Sequence, residues 1–235
     1  MKAVETREPK PIRYVLHALI VFSLLGLEYA ILFVSRIVDG RPMAQVFSWP
    51  INWYGAVAHW TLTMLVWGTG AWLTYRWAKQ RQVLPELVRF GLGKREVIVL
   101  AVGLVLVGAY TLIESQVSGV VFPQVYREYV GFRQMYGAHA WITSIWQNLY
   151  YLFEFVLVIM IVAFFQRAGE LWFANSAFPW GSIGLLLTWG SIHLLSHPQG
   201  ALGVMIWSLV PGIAFVLARK SFLPVLVISM LGFVL

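Results

Sequence analysis

Six ionisable side chains fall within or at the ends of long apolar runs: Glu28, His59, Glu114, Glu154, His193 and His197. A carboxylate or imidazole placed in hydrocarbon is costly, so each is a functional candidate by default. Three carboxylates and three imidazoles at similar depth could bind a divalent metal, activate a water or relay protons. Glu154 and His193 form the candidate catalytic pair. They stand 39 residues apart on consecutive, antiparallel apolar runs, which puts both near the same membrane face. There the carboxylate could take a proton while the imidazole orients a water or stabilises an oxyanion. Glu28, His59, Glu114 and His197 are the candidate metal ligands. A structural use stands beside the chemical one. Glu28 could pair with His59 to offset burial, and Glu114 and His197 could reach the headgroups. His17 lies apart, near the opposite end of the first run.

The elements that must position these groups are membrane spans. A crossing needs about 20 apolar residues, and the chain offers Tyr14–Val34, Trp53–Tyr75, Val97–Ile113, Trp146–Phe165, Trp180–Leu195 and Leu202–Ala218. A last stretch, Phe222–Leu235, is short for a crossing. The expected fold is therefore an all-α polytopic transmembrane bundle, six full spans plus a short C-terminal apolar helix, forming a single membrane domain over 1–235. Pro198 and Gly200 mark a tight turn between the fifth and sixth spans. The first run is too long for a signal-peptide core, and no small-residue cleavage site follows it, so it reads as a retained span. Gly103, Gly108, Gly181, Gly184 and Gly190 suit close helix contacts. Within the long connection 115–145, Gln124–Tyr136 mixes aromatic residues with Arg127, Glu128 and Arg133, as an interfacial helix or a partner-binding surface does.

Composition agrees. Hydrophobic residues make up 60% of the 235, and charged residues 11%, against about 25% in soluble domains. Too little polar surface remains to cover a globule in water. The net charge of +7 does not point to nucleic acid, because the basic residues sit in short segments between apolar runs. With the N-terminus in the cytoplasm of a cell-membrane protein, 13 Lys and Arg fall on that side and four (Arg36, Arg41, Arg127, Arg133) on the other. That is the expected positive-inside bias. Trp49, Trp53, Tyr54, Tyr126, Tyr129, Tyr136, Trp141 and Trp146 read as an aromatic belt on the far side. The absence of cysteine excludes disulfides, thiolate nucleophiles and iron–sulfur clusters.

Residues 146–235 carry motifs that resemble the CPBP (Abi) intramembrane protease family. That family has Glu-Glu-x-x-x-Arg on one span, Phe-x-x-x-His at the end of the next and His-x-x-x-Asn on a later one. Here Trp189-Gly-Ser-Ile-His193 is similar to the second motif, with Trp for Phe. The following Leu-Leu-Ser-His-Pro-Gln-Gly, the span ending Ala218-Arg219-Lys220-Ser221, and Phe222-Leu223-Pro224 resemble the family's continuation. Three departures matter. Glu154 is followed by Phe155, the Arg position falls on Val158 or Ile159, and the third motif would fall near Ser229 and Phe233. The resemblance thus implies a fold more than an activity.

Three functions follow as expectations. The first is a CPBP-like protein with an incomplete catalytic set, acting as a binding or scaffolding subunit among lipids and other membrane proteins. The second is an active intramembrane hydrolase using Glu154 and His193. The third is a cytochrome b-like subunit, in which His59 with His193 or His197 could hold haem b, since His17 lies at the wrong depth.

Overall fold

A computed structural model describes residues 9–42, 50, 52–118, 124–196 and 201–235. The described residues are almost wholly helical; their one β-type pairing is an isolated bridge between Arg89 and Ser221. In chain order the helices are α1 (Pro11–Asp39), α2 (Trp53–Gln80), α3 (Leu84–Leu87), α4 (Lys94–Ser118), α5 (Gln124–Tyr136) and α6 (Ala140–Phe173). Then follow α7 (Trp180–Leu185), α8 (Ser191–Ser196), α9 (Ala201–Trp207), α10 (Leu209–Leu217) and α11 (Phe222–Val234).

Local chemistry sets the ends of α1. Pro11 opens it, where a missing amide N–H costs nothing. Gly40 closes it in the left-handed region at φ 70°, a conformation that disfavours a side chain. Asp39 then joins α1 to α2. Its carboxylate accepts from the Asn52 amide at 2.9 Å and pairs with Arg41 Nε at 2.9 Å.

Among the described residues, three helical stretches are long and apolar enough to cross a membrane: Pro11–Asp39, Lys94–Ile113 and Gln124–Phe173. The expectation of six full spans is therefore met only in part. Helix α2 has 28 residues, but its Trp, Thr, Gly and His residues make it less apolar. The fifth run is divided into α7, a π-helical turn over Leu186–Gly190, and α8. The sixth breaks at Ser208 between α9 and α10, and α11 has 13 residues. Much of the long connection 115–145 is helix: α4 runs to Ser118, α5 spans Gln124–Tyr136, the stretch with the interfacial-helix pattern, and α6 begins at Ala140. The turn at Pro198 and Gly200 lies outside the described residues.

Helix α6 is the central column. It packs against α1, α2, α5, α7, α10 and α11. Its 34 residues rise through about 51 Å, more than the ~30 Å hydrocarbon core. Phe155, Leu157, Val158, Ile159, Ile161 and Val162 are all buried, and the remaining face, with Val156 and Met160, is half-buried. Small residues admit the neighbours. A side chain at Gly181 would place its Cβ 2.6 Å from the Val162 carbonyl oxygen, and one at Gly184 would overlap the Phe165 ring. Gly103 lies against Ile228 and Gly190 against Ser208, whereas Gly108 has open space beside it. Helix α4 is the opposite case. It touches α10 and α11 and leaves most of its length exposed.

The basic segments meet at one end. Lys220 Nζ pairs with Glu170 Oε2 at 2.7 Å and donates to the Glu86 carbonyl at 3.0 Å. Arg167 reaches Glu170 at 3.3 Å. The Arg89 amide donates to the Lys220 carbonyl, and the Phe222 amide to the Arg89 carbonyl, each at 2.8 Å.

Candidate functional site

A cavity of about 510 Å³ opens among α1, α2, α6, the π turn, α8 and the end of α11. Helix α6 supplies its polar floor. Gln147, Tyr150, Tyr151 and Glu154 recur at three- and four-residue steps, which puts them on one helical face. Glu28 faces them from α1, and His193 enters from α8. Trp60, Trp67, Trp189, Phe22, Tyr29 and Phe233 form most of the aromatic wall. Among the described residues, no lysine or arginine lines the cavity.

The Glu154 carboxylate is buried and accepts from the Trp189 indole Nε1 at 2.9 Å. Trp189 holds His193 as well. The imidazole Nδ1 lies 2.7 Å from the Trp189 carbonyl, and the two rings meet edge to face at 4.7 Å. Trp189 is thus the shared partner of the candidate pair. A proton transfer at His193 would then run through Nε2. The π turn is the local device that makes this possible. It widens the helix over Leu186–Gly190, where Trp189 sits, and re-aims the residues that follow.

Glu28 is held from two other helices. Its Oε1 lies 3.2 Å from His59 Nε2, and its Oε2 accepts from the Tyr150 hydroxyl at 2.9 Å. His59 is fully buried in this pairing and is not part of the cavity wall. A second chain of hydrogen bonds leads out of the cavity. Gln147 Nε2 donates to the Tyr151 hydroxyl at 2.9 Å, and that hydroxyl donates to Glu128 Oε1 at 2.7 Å. Glu128 also accepts from Gln124 at 3.0 Å. This chain ties the cavity to α5, whose Phe132 and Tyr136 turn inward while Tyr126, Arg127, Val130 and Met135 face out.

The structure thus brings Glu154, His193 and Glu28 to one cavity and sets His59 behind Glu28. The Glu114 side chain and His197 lie outside the described residues. His17 is at the other end of the bundle, stacked on Trp77 at 3.6 Å. Among the described residues, no group of three or more His, Asp or Glu side chains is arranged to hold a metal ion. Gln147, Tyr150, Tyr151 and Glu128 escape a sequence reading that attends to charge within apolar runs. For the three on α6 the signal was the helical spacing from Gln147 to Glu154. The role of Trp189 also escapes it: the substitution of Trp for Phe adds an N–H, and that N–H holds the Glu154 carboxylate.

The positions where the resemblance implies catalytic groups are apolar or small. Phe155, Val158 and Ile159 are buried, Ser229 is buried, and Phe233 is a wall of the cavity, in ring contact with Tyr151 and Phe155. No family model matches the chain, and no match is found among curated proteins or solved structures. The CPBP resemblance rests on the quoted residues alone.

Proposed function

We propose that this chain is a multi-pass membrane protein that works by binding, as a scaffolding subunit related in design to CPBP proteins but without their catalytic set. One observation carries the reading. The cavity's two carboxylates already accept hydrogen bonds from Trp189, Tyr150 and His59, and no lysine or arginine faces them. Acyl-transfer chemistry needs donors aimed at the developing oxyanion, worth about 3–4 kcal/mol of the barrier. The cavity wall instead offers aromatic surface and hydrogen-bond acceptors, which suits holding a ligand or a partner's side chain. The outward face of α5, with Tyr126, Arg127, Val130 and Met135, suits contact with another membrane subunit.

The deciding experiment is complementation of a deletion strain at matched protein level. Glu154→Gln keeps an acceptor for the Trp189 indole and removes the base. It should leave the cellular role largely intact, while Tyr126→Ala with Met135→Ala should impair it. Loss of function in a folded, inserted Glu154→Gln protein would sink the scaffold reading in favour of hydrolysis.

That second reading has its own support, because Glu154 and His193 line one cavity. A haem reading has less, since it needs two imidazoles facing one space, and among the described residues His193 is the one imidazole on the cavity wall. The orientation we propose puts the N-terminus in the cytoplasm of a cell membrane. Because the chain has no cysteine, Gln80→Cys should resist an impermeant thiol reagent in intact cells, and Gln134→Cys should react. The reverse pattern would invert the topology.

A further inference from the structure

Away from the cavity, and sharing no lining residue with it, two neighbouring spaces beside α4 differ sharply in chemistry. The first, of about 620 Å³, lies at the start of α4 and is lined by Arg89, Lys94, Arg95 and Arg219, with Gly91 and Gly93 between them. Among the described residues Glu96 is its one acidic member, and that carboxylate is turned back onto the Gly93 amide at 3.0 Å, as a cap for α4. The space is therefore left with an excess of positive charge. The amino end of a 25-residue helix adds to it. Phe90 and Leu92, 59% and 50% exposed, flank the basic residues and place this loop at an apolar boundary.

The second space is a groove of about 580 Å³ between α4 and α9–α10, floored by Ile228. Its wall is mainly aliphatic and small, including Val102, Leu106, Gly203, Val210 and Leu217, with Tyr110 and Trp207 as its aromatic members and, among the described residues, no charged side chain. The two spaces meet at Ile98, which lines both. Arg95 is fixed at the junction by donating Nε to the Leu217 carbonyl at 2.9 Å. Along α4 the groove runs from Ile98 to Tyr110, a rise of about 18 Å, close to the ~15 Å depth of one leaflet's hydrocarbon.

We propose that this flank is a binding site for one anionic glycerophospholipid, its phosphate held among Arg89, Lys94, Arg95 and Arg219 and one acyl chain lying in the groove between α4 and α9–α10. Charge complementarity selects the headgroup, and the continuity of a basic space with an apolar groove one leaflet deep selects a lipid over a soluble anion. Basic pockets between membrane helices recognise anionic headgroups on these terms. The site is separate from the cavity and does not depend on the reading proposed for it.

The test uses the full-length protein in neutral detergent micelles. Phosphatidylglycerol, phosphatidylcholine with the same chains, and inorganic phosphate are each added, and thermal unfolding and native mass spectrometry are recorded. Phosphatidylglycerol should raise Tm and remain bound; the other two should do neither. Lys94→Gln with Arg219→Gln removes two exposed charges and should weaken retention about fivefold per charge. Gly203→Leu adds a side chain where nothing lies within 4 Å of the new Cβ. It should fill the groove and abolish retention while leaving the lipid-free Tm unchanged. Equal retention of both lipids would overturn the proposal. So would stabilisation by phosphate alone, which would mark a free-anion site, and so would full retention by the Gly203→Leu protein.

Discussion

The interior cavity and the peripheral groove are of similar size, about 510 and 580 Å³, yet they are built on opposite terms. The cavity sets an aromatic wall over a polar floor, and its carboxylates take hydrogen bonds from donors on other helices. The groove is walled by hydrocarbon with its charges gathered at one mouth. The difference follows from what surrounds each. Inside the bundle a carboxylate has only other side chains to meet, so Glu28 and Glu154 each require a donor from another helix. At the periphery lipid replaces protein, and polar groups are tolerated only where the helix leaves the hydrocarbon. A change at the cavity should disturb the fold, and a change at the groove should disturb lipid contact alone.

The largest effect should come from closing the interior contact between α6 and α7. Gly181→Val would drive its Cβ into the Val162 carbonyl, a backbone atom that cannot rotate away. Overpacking of this kind costs about 1–3 kcal/mol or more, and the variant should be recovered poorly as a monodisperse species by size exclusion. Gly108→Val on α4, with open space beside it, should be recovered like the parent. Equal losses would erase the distinction between column and periphery.

Next comes the bond from Trp189 to Glu154. Glu154→Leu leaves a buried indole N–H without its acceptor, at a cost of about 1–3 kcal/mol. Glu154→Gln retains an acceptor and should lose less. A calorimetric ranking with Gln at or below Leu would show that Trp189 does not depend on this oxygen.

The pairing of Glu28 with His59 should give a smaller, coupled effect. In a double-mutant cycle of Glu28→Gln and His59→Phe, the interaction free energy should fall within about 0.5–3 kcal/mol. Additive losses would mean that the 3.2 Å contact contributes nothing specific. The smallest effect belongs to the outer face of α4. Leu112→Ala, at a side chain 69% exposed, should move Tm little, with a change of about 0.5 kcal/mol or less, because lipid replaces the lost contact.

Much of this architecture is legible in the chain itself. The apolar runs are long and the charges few, so helices with lipid as part of their solvent follow from composition and spacing. The basic residues fall between those runs, and in the fold Arg89, Arg167 and Lys220 do meet at one end. Glu154 and His193, early in one apolar run and late in the next, were readable as neighbours of one space if the two runs are antiparallel, and both line the cavity. Helix length was less legible. The sixth run is broken at Ser208, beside the Trp207 carbonyl that Pro211 leaves without an i+4 amide donor, while the fifth is interrupted by a π turn that no proline marks.

What only the tertiary structure decided is which apolar helix is inside. The most apolar 18-residue windows of Lys94–Ile113 and Gln124–Phe173 have mean hydropathies of 2.4 and 2.1, nearly alike, but 11% of the first window and 61% of the second are buried. Hydropathy reports that a segment avoids water. It does not report whether protein or lipid takes the water's place, since lipid tails are as apolar as leucine. The same limit applies to the site. Tyr150 reaches Glu28 across 122 residues of sequence, and Trp189 reaches Glu154 across 35. Each of these bonds depends on how α1, α6 and the π turn rotate about their axes when they pack, a choice made by side-chain shape and by glycines such as Gly181 and Gly184, not by any one segment's own pattern.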